Sequence, residues 1–235
     1  MLIGALKKTT LLDYPDKIAT IIFTVGCNLR CGFCHNKEFV LPNEIKKIDD
    51  LIPEKIFFNF LKTKVGVLDG VVICGGEPTV HKDLYDFCKS IKDLGFLIKI
   101  DTNGQNPKIL KKLINEKLVD YIAMDIKTSF LNYQKATGVK EDIENYKESI
   151  ELLIKSGIDY EFRTTLVKGI HNLEDILEIS KTISGSKKYY LQNFKGGNTL
   201  DDNFCGTSFS LEELYEFENI CKKYVENVHI REYDQ

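Results

Sequence analysis

Strand-like and helix-like stretches alternate along most of this chain. Short apolar runs rich in β-branched residues are separated by segments with helical spacing. Alternation of this kind predicts βαβ units, and therefore a parallel sheet with helices outside it. The predicted strands are Ile18–Val25, Gly70–Cys74, Phe96–Asp101, Val119–Ile126, Tyr160–Val167, Lys188–Asn193 and a short final strand near Val228–Arg231.

The helices predicted between these strands have recognisable ends. Asn106 before Pro107 predicts an N-cap followed by a first-turn proline. Ser210 with Glu213 predicts a capping box that opens a last helix. The other predicted helices are Pro53–Lys64, Lys82–Leu94, Pro107–Glu116, Ile143–Ser156 and Leu173–Ile183. Six βα units predict an open barrel or a doubly wound sheet.

Three of the predicted strands carry a polar face as well as an apolar one, since side chains two residues apart share a face. A closed eight-stranded barrel fills its interior with branched apolar side chains. Charges on that face therefore predict a wet interior that holds a polar ligand, and structural ion pairs are the alternative. The polar faces carry Lys99, Asp101 and Asn103; Asp125 and Lys127; and Glu161, Arg163 and Thr165.

Three cysteines lie close together in the loop after the first predicted strand, Ile18–Val25. Cys27, Cys31 and Cys34 have the spacing C-x3-C-x2-C. Closely spaced thiolates are typical ligands of iron–sulfur clusters, and three of them leave one iron of a four-iron cluster open to a small molecule. On the loop alone, a zinc site with His35 as the fourth ligand and a set of metal-free thiols are the alternatives.

The strand Gly70–Cys74 ends in the sequence Gly75-Gly76-Glu77-Pro78. Paired glycines at a strand end allow the backbone to approach a ligand closely. Glu77 adds a carboxylate that can accept hydrogen bonds from an ammonium group. A plain turn is the alternative, and the position one βα unit after the cysteine loop favours the ligand site.

The cysteine loop followed by G-G-E-P resembles the radical S-adenosylmethionine (radical SAM) enzymes. The resemblance implies a partial (β/α)6 open barrel and a [4Fe-4S] cluster held by Cys27, Cys31 and Cys34. It also implies that S-adenosylmethionine chelates the open iron and is cleaved to a 5′-deoxyadenosyl radical. In such enzymes the cofactor carries the chemistry and the protein supplies binding and orientation, so no catalytic residue is expected beyond the cluster and cosubstrate.

Further motifs resemble the glycyl-radical-enzyme activating branch. They are C-H-N at 34–36, D-T-N-G at 101–104 and D-[LIV]-K at 125–127. The segments at 12–17 and 190–194 are most similar to anaerobic ribonucleoside-triphosphate reductase activating proteins. Pyruvate formate-lyase activating proteins carry a histidine after the sixth strand, where this chain instead has Leu191-Gln192-Asn193-Phe194.

The resemblance implies that several motifs together hold S-adenosylmethionine. Arg163 corresponds to an arginine that faces the cosubstrate's carboxylate, a role suited to its planar cationic fork. Phe33 is either a buried anchor of the cysteine loop or a ring that stacks on adenine. The implied residues are Phe33, His35, Gly75, Gly76, Glu77, Thr102, Asn103, Asp125, Lys127, Arg163 and Gln192.

Length predicts one domain, with two small domains as the alternative, and the resemblance implies that it is a radical SAM core over 1–235 with the cluster-binding loop at 26–36. The net charge of −3, without a basic stripe, gives no reason to expect nucleic-acid binding. No apolar run is long enough to span a bilayer, and we expect no membrane association. The odd number of cysteines, seven, predicts a reducing cytoplasm. The four outside the loop are expected to be ordinary thiols, with half of an auxiliary cluster site as the alternative for Cys205 and Cys221: Cys74, Cys88, Cys205 and Cys221.

The sequence therefore predicts an activase that generates a glycyl radical on a partner enzyme, by resemblance an anaerobic ribonucleotide reductase. A flavodoxin or ferredoxin is the expected electron donor. The Gly/Asn/Asp-rich segment 193–209, at the end of the last barrel strand, is the candidate partner loop. The alternatives are a radical SAM enzyme that modifies a small molecule or peptide, and a non-catalytic iron–sulfur carrier or zinc-binding interaction protein.

Overall fold

The computed structural model describes residues 1–231. The chain divides into two compact units, which are described separately below. The first unit contains residues 1–28, 36–102 and 106–122, and the second contains residues 29–35, 103–105 and those from 123 onward. The boundary between the units thus crosses the cysteine loop and the strand near residue 122.

The first unit contains the first four strands and the start of the fifth. Strand β1 pairs antiparallel with β2, whereas β2, β3 and β4 pair parallel in sequence order. The side chains of β3 are entirely buried, as expected for a parallel strand covered on both faces. The bounds are β1 (Ile3–Thr10), β2 (Ala19–Thr24), β3 (Gly70–Gly75), β4 (Leu97–Thr102) and β5 (Tyr121–Asp125).

Five helices belong to the first unit: α1 (Lys37–Val40), α2 (Pro42–Ile45), α3 (Glu54–Lys62), α4 (Leu84–Asp93) and α5 (Pro107–Asn115). The apolar stripes of α3 and α4 meet where the rings of Phe57 and Phe87 stack, with centroids 5.5 Å apart. Pro107 lies in the first turn of α5 as predicted. Asn106 occupies the predicted N-cap position, but its side chain makes no capping hydrogen bond, and its amide nitrogen donates to the Thr79 carbonyl at 3.0 Å.

Among its residues up to 231, the second unit contains the end of β5, three further strands and four α-helices. Strands β6, β7 and β8 pair parallel in sequence order. The predicted capping box at the start of the last helix is confirmed, with hydrogen bonds in both directions between Ser210 and Glu213. The bounds are β6 (Asp159–Leu166), β7 (Lys188–Asn193), β8 (Asn227–Arg231), α6 (Tyr133–Thr137), α7 (Ile143–Lys155), α8 (Leu173–Thr182) and α9 (Leu211–Cys221).

The predicted α/β class is confirmed, because the strands follow one another in chain order, β1 to β8, and helices separate the parallel ones. Every strand predicted from the sequence is present, with ends displaced by two residues or fewer. Strand β1 and the short helices α1, α2 and α6 were not predicted. Within residues 1–231, no helix has the length and apolar character needed to cross a membrane.

Candidate active site

Each motif lies at the carboxyl end of its own parallel strand. The cysteine loop follows β2, Gly75 closes β3, Thr102 closes β4 and Asp125 closes β5. The loops at these strand ends are where α/β barrel and sheet proteins bind ligands. Each motif, taken by itself, therefore occupies a strand end of the kind that binds ligands.

The glycine-rich turn after β3 packs directly on the start of the cysteine loop, within the first unit. Gly75 has φ +109°, a conformation that favours glycine. A Cβ atom on Gly76 would lie 2.1 Å from the Gly26 carbonyl oxygen, so only glycine fits. The Glu77 amide donates to the same oxygen at 2.8 Å, and the Asn36 side chain donates to the Gly75 carbonyl at 2.8 Å. The two motifs are thus held together by backbone contacts.

The Glu77 carboxylate ties the end of β3 to the end of β4. The residue is 2% exposed, and its Oε1 accepts hydrogen bonds from the Thr79 amide at 3.0 Å and the Thr79 hydroxyl at 2.6 Å. The Thr102 hydroxyl donates to the same oxygen at 2.8 Å. Glu77 and Thr102, both predicted as cosubstrate-binding residues, therefore contact each other. Their contact with an ammonium group stays a prediction.

The D-T-N-G motif makes the turn between β4 and α5. Lys99 Nζ pairs with the Asp101 carboxylate in the first unit. In the second unit, the Asn103 side-chain oxygen accepts from the Gln105 amide at 2.9 Å. Gly104 has φ +80°, and its carbonyl accepts from the Ser149 hydroxyl of α7 at 2.6 Å. This hydrogen bond ties the turn to α7.

Asp125, Lys127 and Arg163 form one charged group in the second unit. Arg163 Nε donates to Asp125 Oδ1 at 2.8 Å, and Lys127 Nζ donates to Asp125 Oδ2 at 3.0 Å. The ion pairs considered as an alternative are therefore present. Burial alone would raise the pKa of Asp125, but the Arg163 and Lys127 cations outweigh it and lower the pKa to about 2. The group carries one negative and two positive charges near neutrality, an excess that suits an anionic ligand group.

Cys31 and Cys34 lie in one turn of the second unit, where the Cys34 amide donates to the Cys31 carbonyl at 3.0 Å. Burial raises the pKa of the Cys31 thiol to about 11, and the Lys127 cation partly opposes that shift. A metal ion removes the proton from a ligating thiol outright. The seven cysteines are all free thiols, so the donor set of the loop fits a thiolate-ligated iron cluster. Among residues 1–231, no three His, Cys, Asp or Glu side chains are arranged to hold a metal ion, so the ligand set stays a prediction.

The segment 193–209 contacts the cysteine-bearing turn of the second unit. The Leu200 amide donates to the Cys34 carbonyl at 2.8 Å, and the Asp201 amide donates to the Gly32 carbonyl at 3.1 Å. Phe33, 4% exposed, packs against Phe204 with ring centroids 6.2 Å apart. Phe33 is thus a buried anchor, one of its two expected roles, and stacking on adenine stays a prediction.

His35 also contacts this segment. Its ring stacks on Phe194 with centroids 5.4 Å apart, and its Nε2 lies 2.8 Å from the Lys195 carbonyl oxygen. Because a carbonyl oxygen only accepts hydrogen bonds, Nε2 carries the proton of the ring. Nδ1 then keeps its lone pair and is still able to ligate a metal ion, so this contact does not decide against the zinc alternative.

One histidine near the charged group was not predicted from the sequence. His171 is 5% exposed, its Nδ1 accepts from the Val167 amide at 3.0 Å, and its Nε2 lies 2.8 Å from the Lys127 carbonyl oxygen. Nδ1 also lies 3.3 Å from the Val167 carbonyl oxygen, and the shorter contact, in which Nδ1 accepts from the Val167 amide, fits a ring with its proton on Nε2. Burial lowers the pKa of His171 and keeps the ring neutral. His171 thus joins the ends of β5 and β6 and fixes the backbone of Lys127.

Gln192, predicted as a cosubstrate contact, lies on β7 and pairs in register with Thr165 of β6 and Arg231 of β8. The neighbouring Asn193 has a structural role, because its side chain exchanges hydrogen bonds with the backbone of Phe209. Gln192 therefore stays the predicted polar contact to the cosubstrate in this segment.

A family model described as the Radical SAM superfamily matches residues 21–183. The chain belongs to the radical SAM superfamily. A curated relative from Methanocaldococcus jannaschii, named "Putative glycyl-radical enzyme activating enzyme", is 36% identical over 98% of this chain and 95% of its own length. The pyruvate formate-lyase-activating enzyme of Clostridium pasteurianum is 27% identical over 80% of each chain. The resemblance to the activating branch of these oxidoreductases is therefore confirmed.

A solved structure supports the superfamily fold. Streptococcus suis SuiB bound to S-adenosylmethionine superposes with a TM-score of 0.68 at 17% identity. The likeness covers 91% of this chain and 50% of the SuiB chain. At this identity it establishes the fold alone, and it agrees with the expected radical SAM barrel class.

Proposed function

We propose that this radical SAM protein is an activase that generates a glycyl radical on the backbone of a partner enzyme. The observation that carries the proposal is the 36% identity, over nearly the full length of both chains, to a relative named for glycyl-radical enzyme activation. The C-H-N, D-T-N-G and D-I-K motifs support the same branch. An anaerobic ribonucleotide reductase is the partner that we propose, on the resemblance of segments 12–17 and 190–194.

Cys27, Cys31 and Cys34 are the residues that would hold a [4Fe-4S] cluster. When bound together, the cluster and S-adenosylmethionine supply one-electron cleavage of the sulfonium and removal of a hydrogen atom from the substrate. The backbone around the loop favours such a site, because Gly76 allows the turn after β3 to lie against Gly26 next to the first cysteine.

The protein's own residues would bind and orient the cosubstrate. In the proposal, Arg163 and Lys127 offer positive charge to the methionyl carboxylate, since together they exceed the charge of Asp125. Gly75, Gly76 and Glu77 would receive the amino group at the end of β3. The further contacts are assigned to Phe33, His35, Thr102, Asn103 and Gln192.

The segment 193–209 would meet the partner. Its backbone hydrogen bonds to Gly32 and Cys34 support this role, because a partner that moved the segment would act directly on the cysteine-bearing turn. A flavodoxin or ferredoxin would supply the electron, and the free thiols are consistent with a reaction in the reducing cytoplasm.

The proposal is tested under anaerobic conditions. The protein is reconstituted with iron and sulfide, reduced, and mixed with S-adenosylmethionine with and without a candidate anaerobic ribonucleotide reductase. We expect 5′-deoxyadenosine release and a glycyl-radical EPR doublet on the partner. Release of the nucleoside without a partner signal would point to another substrate, and no release from a fully loaded, reduced protein would overturn the proposal.

A further inference from the structure

The second unit carries a continuous polar face on strands β6, β7 and β8. Side chains two residues apart on a strand share a face, and the strands pair so that Arg163 is opposite Tyr190 and Gln192 is opposite Arg231. Glu161, two residues before Arg163, lies on the same face. This face extends from the charged group at Asp125 to the last described residue of β8, Arg231.

Arg231 is fixed on this face by two neighbours. Its guanidinium carbon lies 3.6 Å from the centroid of the Tyr190 ring. Its Nη1 and Nη2 lie 3.2 and 3.3 Å from the two carboxylate oxygens of Glu161. A guanidinium that stacks on an aromatic ring and pairs with both oxygens of a carboxylate has a defined orientation.

Glu161 lies between two guanidinium groups. It is 1% exposed, and its Oε1 is 3.2 Å from Arg231 Nη1 and 3.9 Å from Arg163 Nη1. Arg163 meanwhile donates through Nε to Asp125 at 2.8 Å. A buried carboxylate is costly unless a cation compensates it, so Glu161 and Asp125 compete for Arg163. Arg231 satisfies Glu161 and leaves Arg163 with Asp125.

We propose that Arg231 is a positioning residue, which neutralises Glu161 and thereby holds the Arg163 guanidinium beside Asp125, where it can receive the carboxylate of S-adenosylmethionine. The inference rests on the proposed role of Arg163 in cosubstrate binding. Removal of the Arg231 charge would draw Arg163 toward Glu161 and away from the cosubstrate. Simultaneous removal of the Glu161 charge would abolish that attraction and restore the geometry.

Three variants test the proposal: Arg231→Gln, Glu161→Gln and the double variant. In crystals of the cluster-free Arg231→Gln protein, we expect the Arg163–Asp125 hydrogen bond to be broken and the guanidinium to lie against Glu161. In the double variant the bond should be restored. An unmoved Arg163 in the Arg231→Gln protein would overturn the proposal, whatever the protein's function is.

Equilibrium dialysis of the anaerobically reconstituted proteins tests the functional step. We expect Arg231→Gln to weaken binding of S-adenosylmethionine about tenfold and the double variant to recover most of that loss. Decarboxylated S-adenosylmethionine is the matched probe, and Arg231→Gln should leave its binding nearly unchanged because the carboxylate is missing. Equal weakening for both probes would mean a structural role only and would overturn the proposal. If the wild-type protein binds neither probe, the proposed function is overturned as well. That result differs from the one that overturns only the role of Arg231, in which the wild type binds both probes and Arg231→Gln weakens both equally.

Discussion

The side-chain amide of Asn193 both donates a hydrogen bond to the backbone of Phe209 and accepts one from it. Its Nδ2 donates to the Phe209 carbonyl at 2.9 Å, and its Oδ1 accepts from the Phe209 amide at 3.0 Å. The two residues close the ends of the segment 193–209, which in turn hydrogen-bonds to the cysteine-bearing turn. The Asn193 side chain is therefore one of the contacts that hold the candidate partner loop.

We expect Asn193→Ala to loosen this segment. The change removes two hydrogen bonds and should cost about 1–2 kcal/mol of local stability. Hydrogen exchange measured on peptides that cover residues 194–204 should speed up, including at the Leu200 amide that donates to Cys34. The control is Asn198→Ala, an exposed position in the same segment. Equal rates of hydrogen exchange in the wild type and in Asn193→Ala would show that these two hydrogen bonds do not hold the segment.

We expect the protein to lose stability on mild acidification because His171 is buried. Burial lowers its pKa in the folded protein below the ordinary value of 6.5, so the unfolded chain takes up the proton first as the pH falls. Stability is therefore present above pH 6.5 and is lost below it, with a slope of up to about 1.4 kcal/mol per pH unit. Urea unfolding between pH 7.5 and 5, a range chosen to bracket that value, measures the slope.

The variant His171→Gln should reduce that slope, at the cost of some stability at neutral pH. His229→Gln is the matched control, because it removes an exposed imidazole on β8. A wild-type slope that persists in His171→Gln and disappears in His229→Gln would contradict the assignment.

Regular elements followed from the sequence because their signals are local. The alternation of apolar side chains and the Ser210 capping box act within a few residues of the chain, and the structure retains them. Strand β1 was missed because its middle is only partly buried, so IGALKKTT lacks a clear pattern. The same locality explains why each motif could be assigned to a strand end.

The contacts that organise the site are not local. Thr102 reaches Glu77 across 25 residues of sequence, and His171 reaches Lys127 across 44. No periodicity or cap motif marks such pairs, since they depend on which strand ends the fold brings together. The contact between the Asn106 amide nitrogen and the Thr79 carbonyl is likewise non-local, so the cap motif alone gave no sign of it.

We expect the three cysteines of the loop to be required for iron binding and Cys205, outside the loop, to be dispensable. Single replacement of Cys27, Cys31 or Cys34 by Ala should reduce iron and sulfide content after reconstitution to background, because each removes one ligand of the proposed cluster. Cleavage of S-adenosylmethionine should be lost with it. Cys205→Ala is the control, since Cys205 is an exposed thiol outside the loop, and it should load and cleave as wild type. A Cys27→Ala protein that loads fully and still cleaves the cosubstrate would refute the ligand assignment.

Gly76→Ala tests whether the glycine-rich turn supports the cysteine loop. The new Cβ would lie 2.1 Å from the Gly26 carbonyl oxygen, and backbone atoms on both sides must shift to relieve the clash. We expect a loss of about 1–3 kcal/mol in the free energy of unfolding, because overpacking of a fixed backbone costs that much. Iron loading should fall too, since Gly26 precedes Cys27. Gly196→Ala is the control, because its Cβ meets open space at an ordinary φ, and it should change stability by less than about 0.5 kcal/mol. Equal stability and iron content in the two variants would mean that the turn does not need the close approach, and that the loop is held by other contacts.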